Sequence, residues 1–199
     1  MIKFNGEHLL IGQIGYFLTL LAFCSALVAA YANFKAAGTK DVLEERSWQK
    51  LARISFLTNV VVVIGLFLTL YLIIYNHYFE YKYAHQHSKR SLDMQYLLSC
   101  FWEGQEGSFL LWSFWHCVLG MIIMYKVKWR PNGVMMTLSF VQFLLASMVI
   151  GVFIFGAKVG SSPFILLREE MNWPILARPD YLQLIKDGTG LNTLLQNYW

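Results

Sequence analysis

The sequence is short of charged residues. Asp, Glu, Lys and Arg make up 14% of it, against about 25% in ordinary soluble proteins, while 57% of its residues are hydrophobic. This shortage excludes an ordinary soluble domain and indicates an all-α polytopic membrane protein. The net charge of +4 is small, and no basic arm or nucleic-acid motif is present, so we expect membrane lipid and no nucleic acid as a partner.

Cysteine is also scarce. The three cysteines form neither a CxxC nor a CxxCH motif, which argues against a dithiol reductant or a c-type cytochrome. The N-terminus lacks the charged region and the small-residue cleavage site of a secretory signal, so the first apolar stretch is expected to stay in the mature protein.

Long apolar runs are what the sequence has in place of charge. Each run meets the length of about 17 to 25 residues that a helix needs to cross a bilayer. They predict four spans within a membrane region of residues 1–158, at about 9–34, 54–75, 107–125 and 134–157.

The connecting segments predict an orientation in the plasma (inner) membrane. Lys and Arg are dense in residues 33–53 and 126–133, which the positive-inside rule places in the cytoplasm. Residues 76–106, the segment 159–199 and the N-terminus are then extracytoplasmic. Trp102 and Trp129 bracket the third span and are typical of an aromatic belt at the membrane surface.

The stretch before the third span combines acidic residues with glycines. If the helix begins at Glu103 or Gly104, then Glu103 and Glu106 lie in its first turn, where the helix dipole favours anions. Gly104 and Gly107 would let another backbone approach closely. Alternatively, the two carboxylates with Gln105 and Ser108 bind a cation or the polar edge of a ligand. No His lies three or four residues after either Glu, so no metal site is predicted.

The third span contains a second group of candidates. Ser108, Trp112, Trp115 and Leu119 fall on one helical face, and tryptophans at this depth predict that the face packs inward. His116 lies near mid-span, where a histidine either binds a cofactor such as haem or hydrogen-bonds to a neighbouring helix. Trp112, Trp115 and His116 are therefore the candidate cofactor-binding residues.

Histidines also occur between the second and third spans, within "HYFEYKYAHQHSKRS". His85 and His87 are two residues apart, which favours a strand or turn over one face of a helix. They are interpreted either as part of a solvated, aromatic-rich surface loop or as ligands of a metal or haem iron.

Four segments, in order along the chain, resemble the CcmF/CcsA family of cytochrome c assembly proteins. The motif that begins at Trp102 (Trp102, Glu103, Gly104, Gln105, Glu106, Gly107, Ser108) is similar to the family's Trp-containing Gly-x-x-Gly-Ser signature. "GEHLLIGQIG" resembles the start of its first span, "SSPFILL" its Asn-Pro-Phe segment, and "GTGLNTLLQNYW" its Gly-x-x-Leu-Asn-Pro-Leu-Leu-Gln segment.

The resemblance implies a membrane component of cytochrome c biogenesis with haem-lyase activity in the complete protein. Such proteins present haem to apocytochrome c for thioether attachment, so the implied cofactor is haem. The implied partners are a haem chaperone, apocytochrome c and the rest of a CcmF-like protein. The family's His-Pro-Pro motif and Trp-rich external domain are missing, and the resemblance is therefore to an N-terminal portion, with 159–199 leading toward a further span.

Two alternatives use the same residues differently. One is a proton- or solute-coupled transporter with Glu103 and Glu106 in the translocation path, although the inverted repeats common in transporters are not visible. The other is a structural subunit of a respiratory membrane complex, which needs none of these motifs.

Overall fold

Four long helices dominate the computed structural model, which describes residues 4–127, 131–154 and 156–196. They are α1 (Leu9–Gly38), α2 (Val42–Tyr75), α5 (Gln105–Lys126) and α6 (Pro131–Ile150). Each is long and apolar enough to cross a membrane, which confirms the predicted all-α membrane fold. Trp129, the second predicted belt residue, lies outside the described residues.

The first two helices are longer than the predicted spans. At 1.5 Å per residue, α1 and α2 measure roughly 45 and 50 Å, more than the hydrocarbon thickness of about 30 Å. Asp41 caps the start of α2 by accepting a hydrogen bond from the Leu43 N–H at 3.0 Å, and Glu44 and Glu45 follow in the first turn. The charged linker predicted between the spans is therefore largely helical.

The fourth helix is shorter than its predicted span of 134–157. It ends at Ile150 because Gly151 adopts a φ of +80°, a left-handed conformation that favours glycine and stops a helix. The remaining apolar residues form an antiparallel hairpin of β1 (Val152–Ile154) and β2 (Ala157–Val159). The predicted span was too long because hydropathy does not distinguish the apolar residues of this hairpin from those of the helix.

Small side chains hold the bundle together. α1 packs against α2 and α6, and α5 packs against the same two helices. The buried face of α1 consists of small residues and one asparagine: Gly12, Gly15, Thr19, Ala22, Ser25, Ala26, Ala29, Ala30, Ala32, Asn33 and Ala36. Such a face lets helix backbones approach closely, and the helices are then held together by van der Waals contacts.

A folded cap covers one end of the bundle. It consists of residues 4–8, 76–104 and 160–196, and it contains the short helices α3 (Lys82–His87), α4 (Ser99–Glu103), α7 (Leu167–Glu170) and α8 (Tyr181–Leu184). Three 3-10 turns complete it, at Met94–Tyr96, Pro174–Ala177 and Thr193–Leu195. The three segments predicted to share one side of the membrane therefore fold together.

The junction between cap and bundle differs from the prediction at Glu103. This residue ends α4 instead of beginning the third span, because Gly104 has an extended ψ of 148° and separates α4 from α5. Glu106 alone of the two carboxylates lies in the first turn of α5.

Candidate functional site

The four segments that resemble the assembly family meet in or beside the cap. Backbone pairing joins the loop after α2 to the segment before α7: the Lys82 N–H donates to the Ile165 carbonyl at 3.0 Å, and the Leu167 N–H donates to the Glu80 carbonyl at 2.7 Å. The Asn5 N–H donates to the Pro179 carbonyl at 3.1 Å. Segments far apart in the sequence thus form one unit.

Tyr83 connects α3 to the glycines of the acidic motif. Its hydroxyl donates to the Cys100 carbonyl at 2.8 Å, and its side chain is 3% exposed. A Cβ on Gly104 would lie 2.6 Å from Tyr83 Oη, and a Cβ on Gly107 would lie 2.6 Å from the Phe101 carbonyl oxygen. The two glycines thus make room for a tyrosine and for the end of α4, where the sequence predicted another helix.

Glu103 holds the C-terminal segment. Its Oε1 accepts a hydrogen bond from the Asn192 N–H at 3.0 Å, and its Oε2 lies 3.3 Å from His87 Nδ1. The Glu103 and His87 side chains are each 19% exposed, so the pair is largely shielded from water. Two further backbone bonds, from Thr189 to His85 and from Gly190 to Ser88, place the same segment along α3.

A second carboxylate cluster ties the N-terminus to the cap. Glu7 Oε1 accepts hydrogen bonds from Arg168 Nε and from the Tyr181 hydroxyl, both at 2.7 Å, while Arg168 Nη2 reaches Glu7 Oε2 at 3.3 Å. The Glu7 side chain is 3% exposed, and a buried carboxylate requires such partners. Glu80 is equally buried and accepts hydrogen bonds from the backbone N–H and, at 2.9 Å, from Nδ1 of His8.

Aromatic rings from the cap pack against the first turns of α1. The Tyr81 hydroxyl donates to the His8 carbonyl at 2.7 Å and accepts from the Gly12 N–H at 2.9 Å, so it caps the helix start. Burial raises the pKa of Tyr81 to about 12, which keeps the hydroxyl protonated and able to donate. The Phe164 ring lies against Gly15, where a Cβ would come within 2.5 Å of it.

The other motif residues have simpler environments. Trp102 is 61% exposed, in agreement with its predicted place in an interfacial belt, and its carbonyl accepts a hydrogen bond from Ser108 Oγ at 3.0 Å. Gln105 is exposed, and Glu106 is half-buried in the first turn of α5. No side chain caps the start of α5, so Glu106 can favour the helix through its charge but does not cap it by a hydrogen bond.

The prediction that the tryptophan face of the third span packs inward is wrong. Trp112 and Trp115 are 53% and 60% exposed, and their neighbouring rings are Phe109 and Phe114 of the same helix. The inward face of α5 instead carries Gly107, Leu110, Ser113, Cys117 and Gly120. Small side chains fit between helices, and this requirement outweighs the preference of tryptophan for a particular depth.

His116 is half-buried beside this face, and its Nδ1 is buried without a hydrogen-bond partner among the described residues. The structure does not bring it together with the acidic motif or with the four histidines of the cap region. No group of three or more His, Cys, Asp or Glu side chains in the described part of the chain is arranged to hold a metal ion.

The candidate cofactor-binding residues of α5 do not line a haem pocket in the described part of the chain. A haem site requires an axial ligand that opens into a large cavity. Five cavities between the described elements have walls without any histidine, and neither Trp112 nor Trp115 lines one of them. The outward tryptophans and His116 therefore do not enclose a porphyrin within this chain.

Three residues that sequence reasoning missed are central to the cap. They are Tyr83, Arg168 and Asn192. Tyr83 contacts Cys100, 17 positions away, while Arg168 and Asn192 contact residues much farther away, and no local spacing marks any of them. The pairing of Glu7 with Arg168 spans 161 positions, and the pairing of Glu103 with Asn192 spans 89. The signal in the sequence was the prediction that residues 76–106, residues 159–199 and the N-terminus lie on the same side of the membrane.

No protein-family model matches the sequence, and no curated protein is detectably similar to it. Among solved structures, the chain is similar to "Cytochrome c Heme Lyase CcmF", with a TM-score of 0.64 and 21% sequence identity. The alignment covers 89% of this chain and 28% of that structure. At this identity the similarity establishes a shared fold, and this chain spans less than a third of the length of its structural neighbour.

Proposed function

We propose that this chain is a membrane component of cytochrome c biogenesis that corresponds to one part of a CcmF-like haem lyase. The observation that carries the proposal is the fold shared with that haem lyase over 89% of this chain. It is supported by the convergence of the four resembling segments on one cap. Two of these segments are joined directly, because Glu103 Oε1 accepts a hydrogen bond from the Asn192 N–H at 3.0 Å.

The proposed role is that of a scaffold. The cap faces the outside of the plasma membrane, where apocytochrome c and a haem chaperone are expected to dock. Haem ligation is assigned to the rest of the complete protein, because no histidine lines any of the five cavities between the described elements. The acidic motif then acts by holding the cap in shape.

Glu103 is the residue through which the motif would matter most. By binding the Asn192 N–H, it fixes the direction in which the C-terminal segment leaves the cap. The C-terminal segment is proposed to lead to a further span that carries haem-binding residues. A change in the direction of the segment would then displace those residues. Glu106, which belongs to the same motif, makes no comparable hydrogen bond to the described part of the tail, residues 188–196.

The proposal is tested in cells that lack the complete protein. Residues 1–199 alone are expected to leave apocytochrome c unmodified on haem-peroxidase staining, whereas the complete gene restores holocytochrome. In the complete gene, Glu103→Ala should lower the holocytochrome yield at normal membrane abundance, and Glu106→Ala serves as the matched control. Covalent haem produced by residues 1–199 alone, or full c-type cytochromes in cells without the gene, would refute the proposal.

A further inference from the structure

A small buried cavity lies at the centre of the helix bundle. Its volume is about 10 Å³, and all ten residues around it are buried. Each of the four spans contributes one polar side chain to the wall: Thr19 from α1, Asn59 from α2, Ser113 from α5 and Gln142 from α6. The other six wall residues are apolar: Ala22, Val63, Leu66, Leu110, Ala146 and Val149.

Gln142 faces this cavity with an unused acceptor. Its Nε2 donates to the Ser113 carbonyl at 3.1 Å and to Cys117 Sγ at 3.2 Å, so both amide protons are engaged. Exchanging the amide oxygen and nitrogen would set two oxygens against each other at Ser113, and the orientation is therefore fixed. Gln142 is only 2% exposed, so water outside the bundle does not reach Oε1. This atom has no hydrogen-bond donor among the described residues.

The same glutamine begins a chain of hydrogen bonds across the bundle. Cys117 Sγ lies 3.9 Å from Asn59 Oδ1 and completes a weak bond to it. Asn59 Nδ2 in turn donates to the Ala22 carbonyl at 2.8 Å and to Ser25 Oγ at 3.1 Å. The chain therefore passes from α6 through α5 and α2 to α1, and Gln142 Oε1 is its unsatisfied end.

We propose that the cavity is a binding site for a single water molecule that donates a hydrogen bond to Gln142 Oε1. Buried polar atoms in proteins almost always have a partner, and a buried water needs about 10 to 15 Å³ and two to four polar neighbours. The volume meets this requirement, and Thr19 and Asn59 supply further polar atoms in the wall. None of the ten wall residues is ionisable, so the site suits a neutral ligand better than a cation.

The direct test is water-to-protein magnetisation transfer, measured by solid-state NMR on the chain in lipid bilayers. The side-chain amide carbon of Gln142, assigned by its loss in Gln142→Met, is expected to receive magnetisation from water. The backbone carbonyls of Leu70 and Ile73, which are fully buried in the same bundle, serve as dry controls. A Gln142 signal as weak as those controls would overturn the proposal.

A mutant cycle tests the same site by a different measurement. Ala146→Val adds methyl groups to the wall, so it should expel the water and leave Oε1 without a donor. We expect the unfolding equilibrium constant in mixed micelles to rise about tenfold in the native background. In the Gln142→Met background, which has no such acceptor, the rise should be less than about twofold. Equal effects in the two backgrounds, or stabilisation of the native background, would contradict a bound water.

Discussion

Gly107 provides the sharpest test of how the cap is joined to the bundle, since a single methyl group has no space there. In Gly107→Ala, the new Cβ would lie 2.6 Å from the Phe101 carbonyl oxygen and 3.0 Å from its Cα, and it would overlap the Tyr83 hydroxyl. The Tyr83 side chain alone can rotate away, but the backbone of α4 cannot move without disturbing α5. We therefore expect overpacking to cost about 1 to 3 kcal/mol, with about 1 kcal/mol more if the Tyr83–Cys100 hydrogen bond breaks.

The matched control is Gly133→Ala on α6. Among the described residues, no atom beyond the adjacent backbone of its own helix lies within 4 Å of a Cβ at that position, so the change should be neutral, or stabilising by up to about 1 kcal/mol through helix propensity. Reversible unfolding in mixed micelles measures both variants, and limited proteolysis of residues 76–104 reports whether the cap has loosened. Equal stability and equal protection of the two variants would refute the proposed packing of Tyr83 against the motif.

Three further predictions concern the cap. Glu103→Ala should speed proteolysis around Asn192 several-fold, since the tail loses a charge-assisted hydrogen bond, while Glu103→Gln keeps an acceptor and should cause less change; equal rates would contradict the anchoring role. Burial lowers the pKa of His85, so cap stability should fall as pH drops through about 6.5, and His85→Phe should flatten that dependence in unfolding measurements. An impermeant thiol reagent on intact spheroplasts should label a cysteine at position 86 and miss one at position 40; the reverse would overturn the orientation.

The pH prediction follows from the direction of the shift. A folded-state pKa below the unfolded value means that the unfolded chain binds more protons on acidification, so the stability present above the unfolded pKa is progressively lost. His77 contributes in the same direction, because burial and the nearby Arg90 lower its pKa. A stability curve that rises on acidification would show that the attraction of the nearby Asp187 outweighs burial at these two imidazoles.

The spans were predictable because their signal is local. A run of apolar residues reports a membrane helix regardless of its neighbours, and the four predicted runs correspond to α1, α2, α5 and α6. The end of the fourth span was not predictable from hydropathy, since residues 152–157 after Gly151 continue the apolar run of the helix without a charge. The hydropathy of a segment indicates whether it can lie in lipid, but it does not indicate where the helix turns into a hairpin.

The candidate site was harder to predict because it depends on pairing. The acidic motif was recognised as unusual, but the partners of Glu103 lie in other segments, and nothing in the spacing of the motif points to Asn192. The orientation of Trp112 and Trp115 was mistaken because helical periodicity shows which residues share a face without showing which face is buried. The buried face of α5 was determined by small residues such as Ser113 and Gly120, which lie on the side of the helix away from the two tryptophans.

The ion pair between Glu7 and Arg168 has a consequence for biosynthesis. Residues of a growing chain are synthesised in order. Arg168 is therefore added 161 positions after Glu7, and the ion pair cannot form before then. The α1–α2 pair, by contrast, satisfies the amide protons of Asn59 within itself, and it can form as soon as both helices are in the membrane. The bundle can therefore assemble from its N-terminal hairpin, and the cap closes over the N-terminus only after Arg168 has been synthesised.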